Sequence, residues 1–266
     1  MASLYDIIAI MEEIAPSYLA EPWDNCGLQL GDPFEEIKKI TISLDPDLSV
    51  VEHCVSAGSN LLITHHPLFF SNIKTIDFSK VFGKLIKKAV SNDLAIYSAH
   101  TNLDSVANGL NDFFLKKMGL SSDFAILPFS TKETEHGLGR ISYLEKEIFC
   151  LDFAAQIKKK LEIVNLRICG NQDISSDVIG ICTGSGVSLM EKAFSLGAKI
   201  FVTGDVKYHE AQKASELGIC LIDAGHYGTE KIVCELLKER LDALCKDKGL
   251  FVEIEIFCNK DVFLNF

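Results

Sequence analysis

Residues 40–66, ITISLDPDLSVVEHCVSAGSNLLITHH, run in step with residues 179–205, IGICTGSGVSLMEKAFSLGAKIFVTGD. Each stretch reads as an apolar strand, a turn and a helix stopped by a glycine (Gly58, Gly197). A second apolar strand follows, ending in threonine (Thr64, Thr203). Both copies then pass through another helix to a further strand, LAIYSAHTNLD (94–104) in one and ICLIDAGHYGTE (219–230) in the other. Strand–helix–strand units repeated in this way bury apolar strands in a sheet covered by helices. The chain therefore reads as α/β, with two similar, interlinked lobes built on mixed, mostly parallel sheets. The mixed segment 121–140, with Pro128, Gly137 and Gly139, marks the boundary, giving lobes of 1–127 and 128–266. That division leaves room for the C-terminal strand to return to the first lobe.

Local signals fill in the rest. Residues 3–14 form an amphipathic helix opened by Ser3 and ended by Pro16, and Asp47 opens the helix that Gly58 closes. FSKVFGKLIKKAVSN (78–92) and SVANGLNDFFLKKM (105–118) are helical patterns. Between the first helix and the first strand lies EPWDNCGLQLGDP (21–33), a loop with a short strand at 28–30. It carries the only tryptophan, and on composition alone reads as a connection pinned by a buried Trp23 indole.

Composition narrows the function classes. The net charge is −11 with no cluster of Lys and Arg against it, which argues against nucleic acid held through its phosphates. The nine cysteines are scattered and form no CxxC pair, so neither a zinc ribbon nor a thioredoxin-like motif is present. Several sit inside apolar runs as small hydrophobes, which suits a reducing cytoplasm. No stretch of about 18 apolar residues offers a membrane span, and the N-terminus has acidic residues where a signal core would be.

The chemistry gathers at strand ends. In LLITHHPLFF (61–70) a buried strand runs into His65 and His66, and Pro67 stops it. Open α/β sheets bind their ligands at the carboxyl ends of strands. Two incidental histidines in a loop would look the same in isolation. The repeat separates the two accounts: His100 matches His226, Asp104 matches Glu230, and both pairs are four apart. That spacing puts an imidazole and a carboxylate on one face of a helical turn. Mixed imidazole and carboxylate donors suit Zn, Fe or Mn. More than four such donors imply two ions or one crowded one; a pair ~3.5–4 Å apart, with a carboxylate such as Asp104 or Glu230 bridging, fits the hydrolytic pattern. The expected place is the cleft between the lobes.

At these residues the chain resembles the Nif-three-like family, whose members go by the name GTP cyclohydrolase I type 2. The matching motifs are EPWDNCGLQLG (21–31), ITHHP (63–67), SAHTNLD (98–104), GDVKYHEA (204–211) and DAGHYGTE (223–230). The resemblance is to the compact form, without an inserted domain. It implies a dinuclear metal centre bound by His65, His66, Asp104, His226 and Glu230, and a toroidal homohexamer. His100 falls outside that ligand set, as a residue orienting Asp104 or a water, or passing protons. Asp205, the repeat partner of His66, has a similar orienting place. His209 is either a proton donor near the site or an ordinary helix histidine. Asp24 and Asn25 line the same cleft.

Three functions follow as expectations. In the first, a metal-dependent hydrolase opens the imidazole ring of GTP and releases formate, with His100 or His209 as general acid–base. Two divalent ions against two ligand carboxylates leave roughly two positive charges to draw a phosphate-bearing, nucleotide-like substrate. In the second, the protein handles metal or serves as a regulatory scaffold without turnover. The absence of GxxxxGK[ST], and the wrong spacing of TGSGVS (183–188) for a dinucleotide loop, lean that way. In the third, the protein is a phosphoesterase of another substrate.

Overall fold

The runs Leu61–Thr64, Ala95–Ser98, Ile200–Thr203 and Cys220–Asp223 are buried at every position. A strand covered on both faces needs side chains that tolerate burial on both, so these runs show no polar alternation. They are the centres of two sheets in a computed structural model that describes residues 2–130 and 134–264.

In chain order, β1 (Ala2–Ser3) leads into α1 (Leu4–Ile14), β2 (Gly27–Leu30), β3 (Glu36–Ile37), β4 (Lys39–Ser43) and α2 (Leu48–Ala57). Next come β5 (Leu61–Thr64), α3 (Val81–Val90), β6 (Ala95–Ser98), α4 (Thr101–Ser105), α5 (Leu110–Met118) and β7 (Phe124–Pro128). They are followed by β8 (Gly137–Phe149), α6 (Cys150–Lys160), β9 (Arg167–Gly170), β10 (Ser175–Ile181) and α7 (Met190–Ser195). The order closes with β11 (Ile200–Thr203), α8 (Tyr208–Leu217), β12 (Cys220–Asp223), α9 (His226–Glu230), α10 (Val233–Asp247) and β13 (Glu253–Ile256).

The chain divides into two units. The first holds the residues up to Leu103 together with Val233–Lys260; the second holds Asp104–Ile232 and the residues from Asp261 on. The break therefore falls at 103/104 and 232/233 instead of 127/128. A cut at 127/128 would split β7, which pairs with β8 in the second unit's sheet. The predicted helix over 105–118 is also interrupted. Asn108 takes a left-handed φ of 59°, and Gly109 starts α5 afresh.

The first unit's sheet has the order β13-β4-β5-β6-β2. Its first four strands are parallel and β2 is antiparallel to β6. The C-terminal strand β13 thus sits beside β4, with Ile254 opposite Ile40. The second sheet, β7-β8-β10-β11-β12-β9, is parallel only across β10, β11 and β12. Its remaining three pairings are antiparallel, so the expectation of mostly parallel sheets fails there. Between β7 and β8 the chain has fewer residues than the crossover a parallel pairing needs. The duplication survives these differences. β4-α2-β5-α3-β6 corresponds to β10-α7-β11-α8-β12, and each third strand carries an antiparallel neighbour, β2 or β9.

Local chemistry sets the helix ends. Ser3 and Asp6 form a reciprocal capping box on α1, whose buried face is Leu4, Ile7, Ile10, Met11 and Ile14. Asp47 accepts the Val50 amide at 2.9 Å to open α2, a cap worth ~1 kcal/mol. Gly58 ends the helix at φ 73°, a conformation that would strain a residue with a Cβ. Among the described residues no helix is long and apolar enough to cross a membrane.

One buried charge organises the second unit. Arg140 is 1% exposed and meets Asp112 through Nε and Nη2 at 2.9–3.0 Å. Its Nη1 donates to the carbonyls of Gly137 and Gly139, and its Nη2 to those of Ser105 and Val106. It therefore ties the end of α4 to β8. Arg140→Met should cost about 3–5 kcal/mol, because it leaves Asp112 and several carbonyls buried without their donor. Chemical denaturation measures this, and a loss below ~1 kcal/mol would contradict it.

Candidate metal centre

In the first unit, β4 and β5 end side by side, with Ser43 opposite Thr64. Two residues further on, Asp45 lies opposite His66. The His66 Nδ1 donates to Asp45 Oδ1 at 2.7 Å. His65, completely buried, gives its Nδ1 to the Ala99 carbonyl at 2.8 Å. His100, just past β6, gives its Nδ1 to Asp24 Oδ1 at 2.9 Å. Carbonyls and carboxylates only accept, so each neutral ring holds its proton on Nδ1 and its ligand electron pair on Nε2. The ligand-capable nitrogens of His65, His66 and His100 lie within 4.8 Å of one another.

Asp24 is the pin of the 21–33 loop. Its side chain is 1% exposed and also accepts from the Thr101 amide at 3.0 Å, from the Thr101 hydroxyl and from the Cys26 thiol. Burial alone would raise its pKa. The hydrogen bonds from His100, Cys26 and Thr101 together outweigh it and hold the carboxyl well below the usual range. Cys26 moves the other way, pushed up to about 12 by burial and by its bond to Asp24. Trp23, expected to be the buried anchor, is 61% exposed. The carboxylate carries that task instead.

In the second unit, α9 starts at His226. Its Nδ1 meets Asp205 Oδ2 at 2.7 Å and its Nε2 meets Glu230 Oε2 at 2.9 Å. The Glu230 hydrogen bond raises the His226 pKa most; burial opposes it, Asp205 adds to it, and the result is about 9. Two donors on adjacent sites of one ion with ~2.1 Å bonds stand about 3 Å apart, so the pair matches one coordination edge. Backbone closes in behind it. Gly184 takes a left-handed φ of 63°, which favours glycine in the TGSG stretch, and a Cβ there would also meet Glu230 Oε1 at 2.0 Å.

Buried hydrogen bonds tie together the backbone segments of this unit that carry Asp104 and Glu230. The Gly184 amide donates to Thr229 Oγ1 at 2.9 Å and the Thr183 amide to Asn111 Oδ1 at 3.0 Å. Asn111 Nδ2 in turn donates to the Asp104 carbonyl at 3.1 Å. Burial pushes the Cys182 thiol up, and the carboxylates of Asp104 and Glu230 add to the effect. Both carboxylates therefore act on the same buried sulfur, which stays a protonated thiol and a poor ligand.

The first unit thus gathers His65, His66, His100 and Asp24, and the second joins His226 to Glu230 and Asp205; Asp104 lies in the second unit and shares only the influence on Cys182 with Glu230. His100, kept apart from the ligands in the sequence reading, belongs spatially to the histidine cluster. His209 is exposed on α8, bonded to Gln212 at 2.9 Å and beside the Tyr208 ring. Asn25 is a tie: its Nδ2 reaches the Phe69 carbonyl and Gln29 Oε1, both at 2.9 Å. The sequence reading missed Asp45, Thr101, Asn111 and Gly184. Asp45 carried a signal, since it follows the strand adjacent to THH by the right number of residues to face His66. The donor types, imidazoles in one unit and an imidazole with a carboxylate in the other, are those of groups that could hold a metal ion.

Comparison with known proteins agrees with this reading of the fold. The family model described as Duf34/NIF3 (NGG1p interacting factor 3) matches residues 2–261. A Clostridium perfringens relative named "GTP cyclohydrolase 1 type 2 homolog" is 39% identical over 90% of this chain and 93% of its own. The crystal structure of the Staphylococcus aureus protein SA1388 is 29% identical, with a TM-score of 0.91 over 99% of each chain. Reduced HcgD from Methanocaldococcus jannaschii is 32% identical, with a TM-score of 0.81 over 96% of this chain and 97% of that one.

Removing the oxygens that hold the rings should loosen metal without unfolding the protein. Asp45→Ala and Asp205→Ala are each expected to weaken Zn binding about 10–100-fold, measured by competition with a chromophoric chelator. Both side chains are more than 40% exposed, so the unfolding free energy should move by no more than ~0.5 kcal/mol. Unchanged affinity in both variants would contradict the assignment.

Proposed function

The chain belongs to the Duf34/NIF3 family, and from that premise we propose a metal-dependent hydrolase resembling GTP cyclohydrolase 1 type 2, acting on a small nucleotide-like substrate. The observation that carries the proposal is the orientation of the histidines: His65, His66, His100 and His226 each give Nδ1 to an oxygen. We assign His65, His66, Asp104, His226 and Glu230 to a dinuclear centre. When bound, two divalent ions supply positive charge and a water of pKa near ~7.

The protein's own groups do the rest. Asp45 and Asp205 fix the rotation of His66 and His226, so neither ring has to be ordered when the ion arrives. His100 is the imidazole left over once five ligands are assigned. With its Nδ1 committed to Asp24, it exchanges protons through Nε2 alone, which suits a general acid–base. His209 remains the second candidate for that role. The local positive charge of a loaded centre attracts phosphate in spite of the net charge of −11. The nine free thiols fit work in the reducing cytoplasm. A toroidal homohexamer is the assembly we expect, and mass in solution checks it.

A second reading has the protein hold or deliver metal, or serve as a regulatory scaffold, without turnover. The lack of a GxxxxGK[ST] signature favours it. A panel of phosphoesters tests for the phosphoesterase alternative.

Elemental analysis of the wild type should find two ions per chain, and His65→Ala and Glu230→Ala should each lose at least one. Wild-type protein loaded with Zn, Fe or Mn should release formate from GTP. No formate with any of the three metals overturns the cyclohydrolase reading. Slow metal exchange, combined with unchanged hydrolysis in Asp104→Ala, would favour the metal-handling one.

A further inference from the structure

Two large aromatic side chains stand in solvent beside the histidine cluster. Trp23 is 61% exposed and Phe70 is 67% exposed. Single exposed aromatics are ordinary on protein surfaces. This pair is distinguished by its neighbour and by the anchored backbones that carry it. The two rings are edge-to-face with each other, centroids 6.1 Å apart at 61°. Both also meet the His100 ring edge-on, Trp23 at 6.1 Å and Phe70 at 6.4 Å. His100 in turn lies 5.1 Å from the His65 ring and 5.6 Å from that of His66.

The backbones that carry the pair are locked together. Asn25 Nδ2 donates to the Phe69 carbonyl at 2.9 Å, joining the Trp23 loop directly to the residue before Phe70. The Glu21 amide donates to Thr101 Oγ1 at 2.9 Å, and the buried Asp24 fastens the same loop to Thr101 and His100. Phe69 packs against the first unit's apolar core, so its neighbour is directed by an anchored residue. The backbones that carry the two rings are thus fixed before any ligand arrives, which lowers the ordering cost of binding.

We propose that Trp23 and Phe70 form an aromatic corner that seats the planar base of a nucleoside or nucleotide next to His100. Rings at 61° cannot sandwich a ligand between them, but they present two walls. A flat heteroaromatic ring stacks in offset on one wall and sets its edge on the other. Stacking of this kind accepts any base, because every base has a π-face. The choice of a nucleotide base rests on the proposed hydrolase reading; the corner itself rests on the ring geometry.

Trp23 is the chain's only tryptophan, so its fluorescence reports on the corner alone. The full-length protein, with and without added Zn, is titrated with guanosine and, as a base-free control, with ribose 5-phosphate. Guanosine should quench Trp23 saturably in both forms and ribose 5-phosphate should not. Phe70→Ala should weaken guanosine binding about tenfold or more, and Trp23→Ala should do the same in equilibrium dialysis. Both variants should keep the wild-type metal content. The absence of saturable quenching, or wild-type affinity in Phe70→Ala, overturns the proposal. So does Trp23 emission that follows protein dilution and ignores guanosine, which would mark a contact between copies of the chain. Guanosine binding without GTP hydrolysis would leave the corner standing and remove the hydrolase reading. GTP turnover by Phe70→Ala with unchanged KM would do the reverse.

Discussion

Everything at the candidate centre depends on one repeated hydrogen bond, from an imidazole Nδ1 to an oxygen. Asp45 holds His66, the Ala99 carbonyl holds His65, Asp24 holds His100 and Asp205 holds His226. A ring bonded this way cannot flip without losing its acceptor, and its Nε2 stays directed at the place where an ion would sit. The acceptors come from a strand end, a backbone carbonyl and two loops, so the sheet edges must end in register for all four bonds to form. The pairing of Ser43 with Thr64 and of Thr203 with Asp223 sets that register.

The duplicated architecture explains why the two units look alike and contribute differently. Each copy of the repeat has a parallel strand trio followed by a five-residue helical turn, α4 or α9. Each has a buried threonine at the end of the middle strand. Thr64 donates to the His66 carbonyl, whereas Thr203 bonds into the Gly184 loop. After that threonine the copies part. One continues as His65-His66, the other as Gly204-Asp205. The first unit is therefore rich in imidazole, and the second supplies carboxylates, an imidazole and the acceptor that holds it. Close backbone packing at Gly184 replaces the space a side chain would take behind Glu230.

Much of this was legible from the residues. Strands buried on both faces show as unbroken apolar runs, and the helix caps at Ser3, Asp47 and Gly58 follow local rules. The His and carboxylate positions surfaced because the repeat set them in parallel. What escaped depends on pairing between distant segments. Asp45 matters only because β4 lies against β5, and the bond from His100 to Asp24, itself a residue expected at the cleft, forms only because its loop returns there. Composition favoured a buried Trp23, yet a buried carboxylate with several donors anchors that loop at least as well and leaves the indole outside. The lobe boundary was misplaced because β7 looks like a closing strand of the first half, while its hydrogen bonds run to β8.

The central claim is that this chain binds metal through oriented imidazoles and carboxylates, with its nine cysteines standing by as free thiols. X-ray absorption at the zinc edge of the Zn-loaded protein tests it most directly. A nitrogen and oxygen shell at ~2.0–2.1 Å is predicted, with imidazole multiple scattering that falls in His66→Ala. A sulfur shell at ~2.3 Å, or imidazole scattering unchanged in that variant, would contradict it.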